Sequence, residues 1–316
     1  MSDTLLLVGA GPMAAEYAKV LRSLGTDFTV VGRGEKSAAS FEEAVQTDVS
    51  RGGIEMWLSS PDRDTSIHTA IVAVSEKQLG KATLALLEQG FDRILVEKPG
   101  GFNDKEINAV FKKAKNKSAQ VYVGYNRRFY ASVIKARELI KKDGGVSSLH
   151  FEFTEWSHRI KDLVKEEGVL QEWYLHNSSH IIDMAFYLGG WPRKIASFIS
   201  GSLPWHPRAS AFTGAGICDT GALFSYQANW EAPGRWSVEI ETKKHRLYFR
   251  PIETLQIQNI GSIALEHVDI EDRLDTEYKP GLYKQVEAFF KNDNSVICSI
   301  KEQKQNMPIY NKIRGS

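Results

Sequence analysis

The sequence predicts an α/β domain built on a parallel sheet, followed by an α+β domain dominated by one mostly antiparallel sheet. Three observations carry this. Over the first third, short runs rich in branched apolar residues alternate with longer amphipathic stretches, the pattern of repeated strand–helix–strand units. After Gly124 that alternation stops, and from Lys194 to His267 several segments read as antiparallel strands. The length, 316 residues, exceeds the size at which a single core keeps growing. Two domains follow, 1–124 and 125–316.

In order, the short apolar runs are Leu5–Val8, Phe28–Val31, Ala70–Val74, Ile94–Val96 and Val121–Val123, each bounded by glycine, proline or polar residues. Between them, Met13–Leu24, Gln78–Glu88 and Lys105–Lys115 have helical periodicity. Residues 48–68 carry few periodic signals. A helix over Ala131–Lys142 stops at Asp143-Gly144-Gly145. Strand-like alternation over Leu149–Trp156 precedes a helical stretch, Leu170–Leu188, closed by Gly189-Gly190. Gly221–Trp230, Trp236–Thr242 and His245–Phe249 read as strands, and Tyr283–Lys291 as a late helix.

Composition narrows the function. With 42% hydrophobic residues the chain can bury a core without disulfides or a structural metal. Lysine plus arginine (40) nearly balances aspartate plus glutamate (39), so no global field favours nucleic acid or an anionic membrane. No apolar run reaches the roughly 20 residues that span a bilayer, and no basic leader precedes Leu5. Cys218 and Cys298 form no CxxC pair. A cytoplasmic protein with a small-molecule partner is expected.

The first strand runs into Gly9-Ala10-Gly11-Pro12-Met13-Ala14, a G-x-G-x-x-A match between a strand and a helix. Gly9 permits the tight turn, Gly11 lets backbone approach a pyrophosphate, and Ala14 lets the helix pack on the sheet. The amides of the helix N-terminus then face the phosphate. The match reads as a dinucleotide-binding turn, and the alternative is an ordinary glycine-rich turn between strand and helix. The second strand ends Val30-Val31-Gly32-Arg33-Gly34, with no acidic residue before Glu35 for the ribose hydroxyls. Arg33 and Ser37 instead suit a 2′-phosphate, so NADP is favoured over NAD.

Glu97-Lys98-Pro99 ends the strand over Ile94–Val96. With the glycine turn, with Gly124-Tyr125-Asn126-Arg127-Arg128-Phe129, and with His180-Ile181-Ile182-Asp183, it makes the chain resemble the Gfo/Idh/MocA oxidoreductase family along nearly its whole length. The resemblance implies a Rossmann domain followed by a domain whose open sheet often forms an oligomer interface, hence a dimer or tetramer. It also implies that Lys98 holds the reacting oxygen, beside Glu97, with a cis peptide bond at Lys98-Pro99. A lysine at the carboxyl end of a parallel strand lies where such sheets bind ligands.

Two departures stand out. In the family, an aspartate precedes the histidine by four positions, with a glycine between them; here His176 replaces the aspartate and Ser178 the glycine. On an α-helix His176 and His180 share a face one turn apart. His180 suits general acid–base work near neutral pH, with His176 orienting it, sharing its proton or binding substrate. A structural pair is the alternative. A metal is not expected, since HExxH and a third ligand are absent. Where the family reads Thr-Pro-Asn, this chain has Val74-Ser75-Glu76, with Leu79 in place of a histidine. Ser75 would then serve the nicotinamide side through backbone alone.

Arg127 and Arg128 suit a substrate carboxylate or phosphate, or one of them a domain-interface ion pair. Trp156, His158, Trp173, Tyr174, Trp205, His206, Arg208, Trp230 and Arg235 form a polar and aromatic set suited to a sugar, although most tryptophans belong to cores. Tyr125, Arg127, Trp173 and Arg235, with Lys98 and the two histidines, are the expected substrate contacts. The expected activity is an NAD(P)-dependent oxidation or reduction of a sugar or nucleotide-sugar. The alternatives are a glycosidase using transient hydride transfer and an NADP-binding regulatory protein without turnover.

Overall fold

The computed structural model describes residues 4–315 and divides them into two compact units. The first holds residues up to Tyr125 together with Glu277–Gln305; the second holds Asn126–Thr276 and the residues from Asn306 onward.

The first unit runs β1 (Leu5–Val8), α1 (Pro12–Ser23), β2 (Phe28–Val31), α2 (Glu35–Val45), β3 (Val49–Ser50), α3 (Gly53–Ser59), β4 (Thr69–Val72), α4 (Leu79–Glu88), β5 (Arg93–Glu97), α5 (Asp104–Lys117) and β6 (Gln120–Gly124). These strands pair in parallel in the order β6-β5-β4-β1-β2-β3. The residues of β1 and the centres of β4, β5 and β6 are fully buried, which is why they read as unbroken apolar runs rather than alternations. Chain order reverses between β1 and β4. The carboxyl ends there border the crevice where doubly wound sheets take ligands. Helix α2, unannounced by the sequence reading, buries only Ala38, Phe41 and Val45.

In the second unit α6 (Ala131–Asp143), β7 (Ser148–Glu152) and α7 (Ser157–Ile160) precede a π-helical turn, Tyr174–Ser178, and α8 (Ser179–Gly189). Strands β8 (Pro192–Ser200), β9 (Ala211–Cys218), β10 (Leu223–Asn229), β11 (Ser237–Glu241), β12 (His245–Phe249), β13 (Gln256–Asn259) and β14 (Glu266–His267) follow. The eight strands order as β14-β13-β12-β11-β7-β10-β9-β8, and β7 with β10 is the one parallel pairing in that sheet among the described residues. In β10 Phe224, Tyr226 and Ala228 face inward while Leu223, Ser225, Gln227 and Asn229 face solvent, the period of two expected of a half-buried strand. Helix α8 covers the inner face, with Phe186 edge-on to Phe151 (5.3 Å) and Phe224 (5.2 Å). The other face is open and carries Phe198, Ile217 and Leu223, 68%, 39% and 58% exposed.

The expectation that everything after residue 124 forms the second domain needs correcting. After α9 (Arg273–Glu277) come α10 (Leu282–Lys291), β15 (Cys298–Ser299) and α11 (Ile300–Ile313). Strand β15 adds to the first sheet antiparallel to β6, Cys298 opposite Val123. Helix α10 buries Leu282, Val286 and Phe289, one stripe at helical spacing. Phe289 meets Tyr122 at 5.9 Å. A sheet edge with free hydrogen-bonding groups attracts a strand from any point in the sequence, and no local pattern announces that pairing. Among the described residues no helix is long and apolar enough to cross a membrane.

Candidate active site

The glycine turn sits where its chemistry needs it. Gly9 has φ +120°, and a Cβ there would lie 2.2 Å from the Ala73 carbonyl oxygen, so the chain leaving β1 closes against the chain leaving β4. Nothing lies within 4 Å of the place a Cβ on Gly11 would fill. Pro12 opens α1 without a side-chain cap or an acidic residue in its first turn, and Ala14 is buried. The N-terminal amides of α1 therefore carry their partial positive charge beside an open cradle at Gly11, with Met13 half-buried alongside. These residues fit a dinucleotide pyrophosphate.

Arg33 lies past the end of β2, exposed, its Nη2 donating to both carboxylate oxygens of Glu55 at 3.1 and 2.9 Å. Its Nη1 lies 3.5 Å from Gln78 Oε1. The sequence reading missed Glu55, because it stands on the short helix α3 in the stretch without periodicity. Ser37 Oγ donates to the Gly34 carbonyl at 2.9 Å, inside the first turn of α2. Ser75 is exposed, and its carbonyl accepts from the Gln78 amide at 2.8 Å to open a 3₁₀ turn.

Glu97, at the end of β5, accepts a 2.6 Å hydrogen bond from Tyr17, whose oxygen accepts from Gln285 at 2.9 Å. Burial, then the Glu97 charge, push the Tyr17 hydroxyl well above its ordinary pKa, so it remains a donor. Half-buried Lys98 follows, in a turn closed by the Gly100 amide on the Glu97 carbonyl at 3.0 Å. The Lys98-Pro99 bond is cis, as the resemblance implied. Tyr125 is buried at the end of β6, its amide on the Val123 carbonyl at 2.9 Å.

In the second unit Arg128 and Asp183 form a buried two-pronged ion pair, at 2.8 and 2.6 Å, with side chains 2% and 1% exposed. Of the two adjacent arginines, Arg128 is thus engaged by Asp183, a residue of the same unit. The pair ties α8 to the 3₁₀ turn Asn126–Phe129. Arg127 is half-buried, donates to Asn126 Oδ1 at 3.0 Å, and lies 5.1 Å from the Trp236 ring centroid.

His176 and His180 are both buried. The simple α-helical relation between them needs correcting: residues 174–178 form a π-turn, with the Ser179 amide reaching the Tyr174 carbonyl. Such wide turns recur at functional sites. What supports this one is Glu155, a second residue the sequence reading missed. Its Oε1 accepts from Asn177 Nδ2 and Ser178 Oγ, both at 2.8 Å, and its Oε2 takes Arg235 at 3.2 Å. Burial pushes the Glu155 carboxyl up against the opposing pull of Ser178, Arg235 and Asn177. Ser178, the departure from the family glycine, is thus a ligand of this carboxylate.

The tryptophans divide. Trp205 and Trp230 stack at 5.5 Å and 3° with His206 and Phe212 around them, a buried cluster. Trp173 is half-buried at the entry to the π-turn. Trp156 is 39% exposed, and the Arg235 guanidinium lies over it at 4.8 Å and over Trp236 at 4.7 Å. His180 stands 6.4 Å from Trp236, ring to ring.

Comparison with known proteins agrees with the motifs. Residues 4–125 match the model of the Gfo/Idh/MocA oxidoreductase family, NAD-binding Rossmann fold, so the resemblance read from the sequence is borne out over those residues. No curated protein matches the chain. Among solved structures, levoglucosan dehydrogenase in complex with NADH and levoglucosan is similar at TM-score 0.78 and 19% identity, over 99% of this chain and 96% of that one. UDP-N-acetylglucosamine 3-dehydrogenase from Acidithiobacillus ferrooxidans is similar at TM-score 0.76 and 14% identity, over 99% and 96%. An oxidoreductase from Agrobacterium radiobacter in complex with NAD+, L-tartaric acid and magnesium is similar at TM-score 0.79 and 10% identity, over 98% and 94%. At these identities the likeness establishes the fold.

Proposed function

We propose that this chain belongs to the Gfo/Idh/MocA oxidoreductase family and is an NAD(P)-dependent enzyme, with NADP favoured, acting on a hydroxyl or carbonyl of a sugar or nucleotide-sugar. The observation that carries the reading is the pairing of two features at the carboxyl edge of one parallel sheet. The open glycine turn follows β1, and Lys98 follows β5. Bound nicotinamide supplies the hydride chemistry.

The chain's own residues supply the rest. The backbone of Gly9, Gly11, Pro12, Met13 and Ala14 holds the pyrophosphate. Arg33 and Ser37 take the 2′-phosphate: Nε of Arg33 is engaged by neither Glu55 nor Gln78 and serves as a donor for an anion. Ser75 lines the nicotinamide side by its backbone. Lys98 donates a hydrogen bond to the reacting oxygen, and Glu97, held by Tyr17, fixes the turn that presents it. His180 gives or takes the substrate proton, with His176 beside it in the chain as orienter. Tyr125, Arg127, Trp173 and Arg235 contact the sugar. The sugar-type substrates of two structural neighbours support the substrate class. The open apolar patch at Phe198, Ile217 and Leu223 supports self-association into a dimer or tetramer.

Lys98→Ala tests the reading. Turnover of a verified sugar should fall by at least a hundredfold, mainly in kcat, while cofactor affinity stays near parental because the pyrophosphate is held elsewhere. A near-parental kcat removes Lys98 from the chemistry.

A further inference from the structure

An alternating stack of arginine and indole side chains runs through the second unit, and it extends beyond the residues assigned above. The Arg159 guanidinium lies 4.7 Å from the Trp156 centroid, and that of Arg235 lies 4.8 Å from the same ring. Arg235 is also 4.7 Å from Trp236, whose other neighbours are Arg127 at 5.1 Å and His180 at 6.4 Å. Arg159, Trp156 and Arg235 are exposed, whereas Trp236 and His180 are buried. The stack therefore leads from solvent to the histidine assigned to proton handling.

Charge along it is unbalanced. Glu155 is the carboxylate on Arg235, and its other oxygen is already taken by Asn177 and Ser178. Arg159 forms no ion pair among the described residues. A guanidinium lying on a ring still keeps its donors in its own plane, aimed past the ring's edge. Two guanidinium forks gathered at one exposed indole, 4.7 and 4.8 Å from its centroid, suit an oxyanion with several acceptor oxygens and more than one charge.

We propose that this exposed end is an anion subsite, with Arg159 and Arg235 as ligands, for the phosphate or diphosphate of a sugar phosphate or nucleoside-diphosphate sugar. The subsite rests on the sugar-oxidoreductase reading and makes the natural substrate a phosphorylated one. Arg235 is shared between Glu155 and the ligand, and Arg159 belongs to the ligand alone.

The test is calorimetric titration of the full-length protein, saturated with NADPH so that the pyrophosphate-binding turn is filled. The probes are inorganic pyrophosphate, glucose 1-phosphate, UDP-glucose and glucose. Pyrophosphate and at least one phosphorylated sugar should bind tenfold or more tightly than glucose. Arg159→Ser, an exposed change, should weaken these anions at least tenfold and leave NADPH and glucose unchanged. Arg235→Lys, which keeps a charge for Glu155 but loses the fork, should weaken them less. A preference for UDP-glucose over glucose 1-phosphate identifies a diphosphate ligand, and equal binding a monophosphate. Anions that bind no tighter than glucose, or that lose nothing in Arg159→Ser, overturn the subsite. Turnover of neutral sugars alone leaves the oxidoreductase reading standing and overturns the subsite. Arg159-dependent anion binding without any turnover does the reverse.

Discussion

Replacing Arg128 by methionine removes the guanidinium that Asp183 meets through two hydrogen bonds at 2.8 and 2.6 Å. The carboxylate left behind is 1% exposed and loses both of those hydrogen bonds. Stranding one member of a buried ion pair costs about 3–5 kcal/mol, because the remaining charge keeps its desolvation penalty. Packing over Tyr187, 4.7 Å from the Arg128 guanidinium, is partly kept by the methionine stem. With a urea slope of about 2 kcal/mol per molar, the midpoint of the second unit should fall by about 1.5–2.5 M. Tryptophan fluorescence reads that unit selectively, since Trp156, Trp173, Trp191, Trp205, Trp230 and Trp236 lie in it and Trp57 lies in the first. Arg128→Met with Asp183→Leu should recover most of the loss, because replacing both charges by apolar groups is often near neutral. A single variant within about 0.5 M of the parent, or a double variant as unstable as the single, refutes the reasoning.

Other outcomes follow from the same geometry. NADPH should bind more tightly than NADH; Arg33→Asp should weaken NADPH far more than NADH, and Glu55→Gln should tighten NADPH severalfold by releasing the arginine fork. Superimposable titrations of the parent with the two cofactors would sink the assignment. His180→Asn should lower turnover sharply, whereas His176→Asp should keep activity and move the pH–rate profile upward, since a carboxylate favours protonated His180. Coincident profiles for parent and both variants would make the pair structural. Glu155 is held above its ordinary value of 4.5 chiefly by burial. The folded state then binds its proton more readily than the unfolded one, so its contribution to stability is present below the ordinary range and lost as pH rises through the raised value. Against Glu155→Gln, the parent's relative stability should decline as the pH is raised above 4.5; a pH-independent difference between the two denaturation midpoints contradicts this.

Much of the fold was legible because local patterning sets it. Leu5–Val8, Phe28–Val31 and His245–Phe249 are strands with the bounds read from the sequence, since buried or alternating strands write their environment into consecutive residues. The glycine turn was legible for the same reason: Gly9 and Gly11 answer to backbone geometry within one loop. Helix α2 was not, since only three of its residues are buried. Nor was the division of Leu170–Leu188 into a π-turn and α8, because apolar periodicity does not register one extra residue in a turn.

Local sequence was enough for the strand–helix alternation and the glycine turn, and it singled out Lys98, His176 and His180 as candidates. Only the tertiary structure decided their partners. Glu55 reaches Arg33, Glu155 reaches Ser178, Tyr17 reaches Glu97 and Asp183 reaches Arg128 across separations of 22 to 80 residues. It also decided that β15 closes the edge of the first sheet. Periodicity reports which face of an element is buried. It does not report what the opposing surface carries, and a buried charge or an open sheet edge takes its partner from whichever surface the packed core brings alongside it.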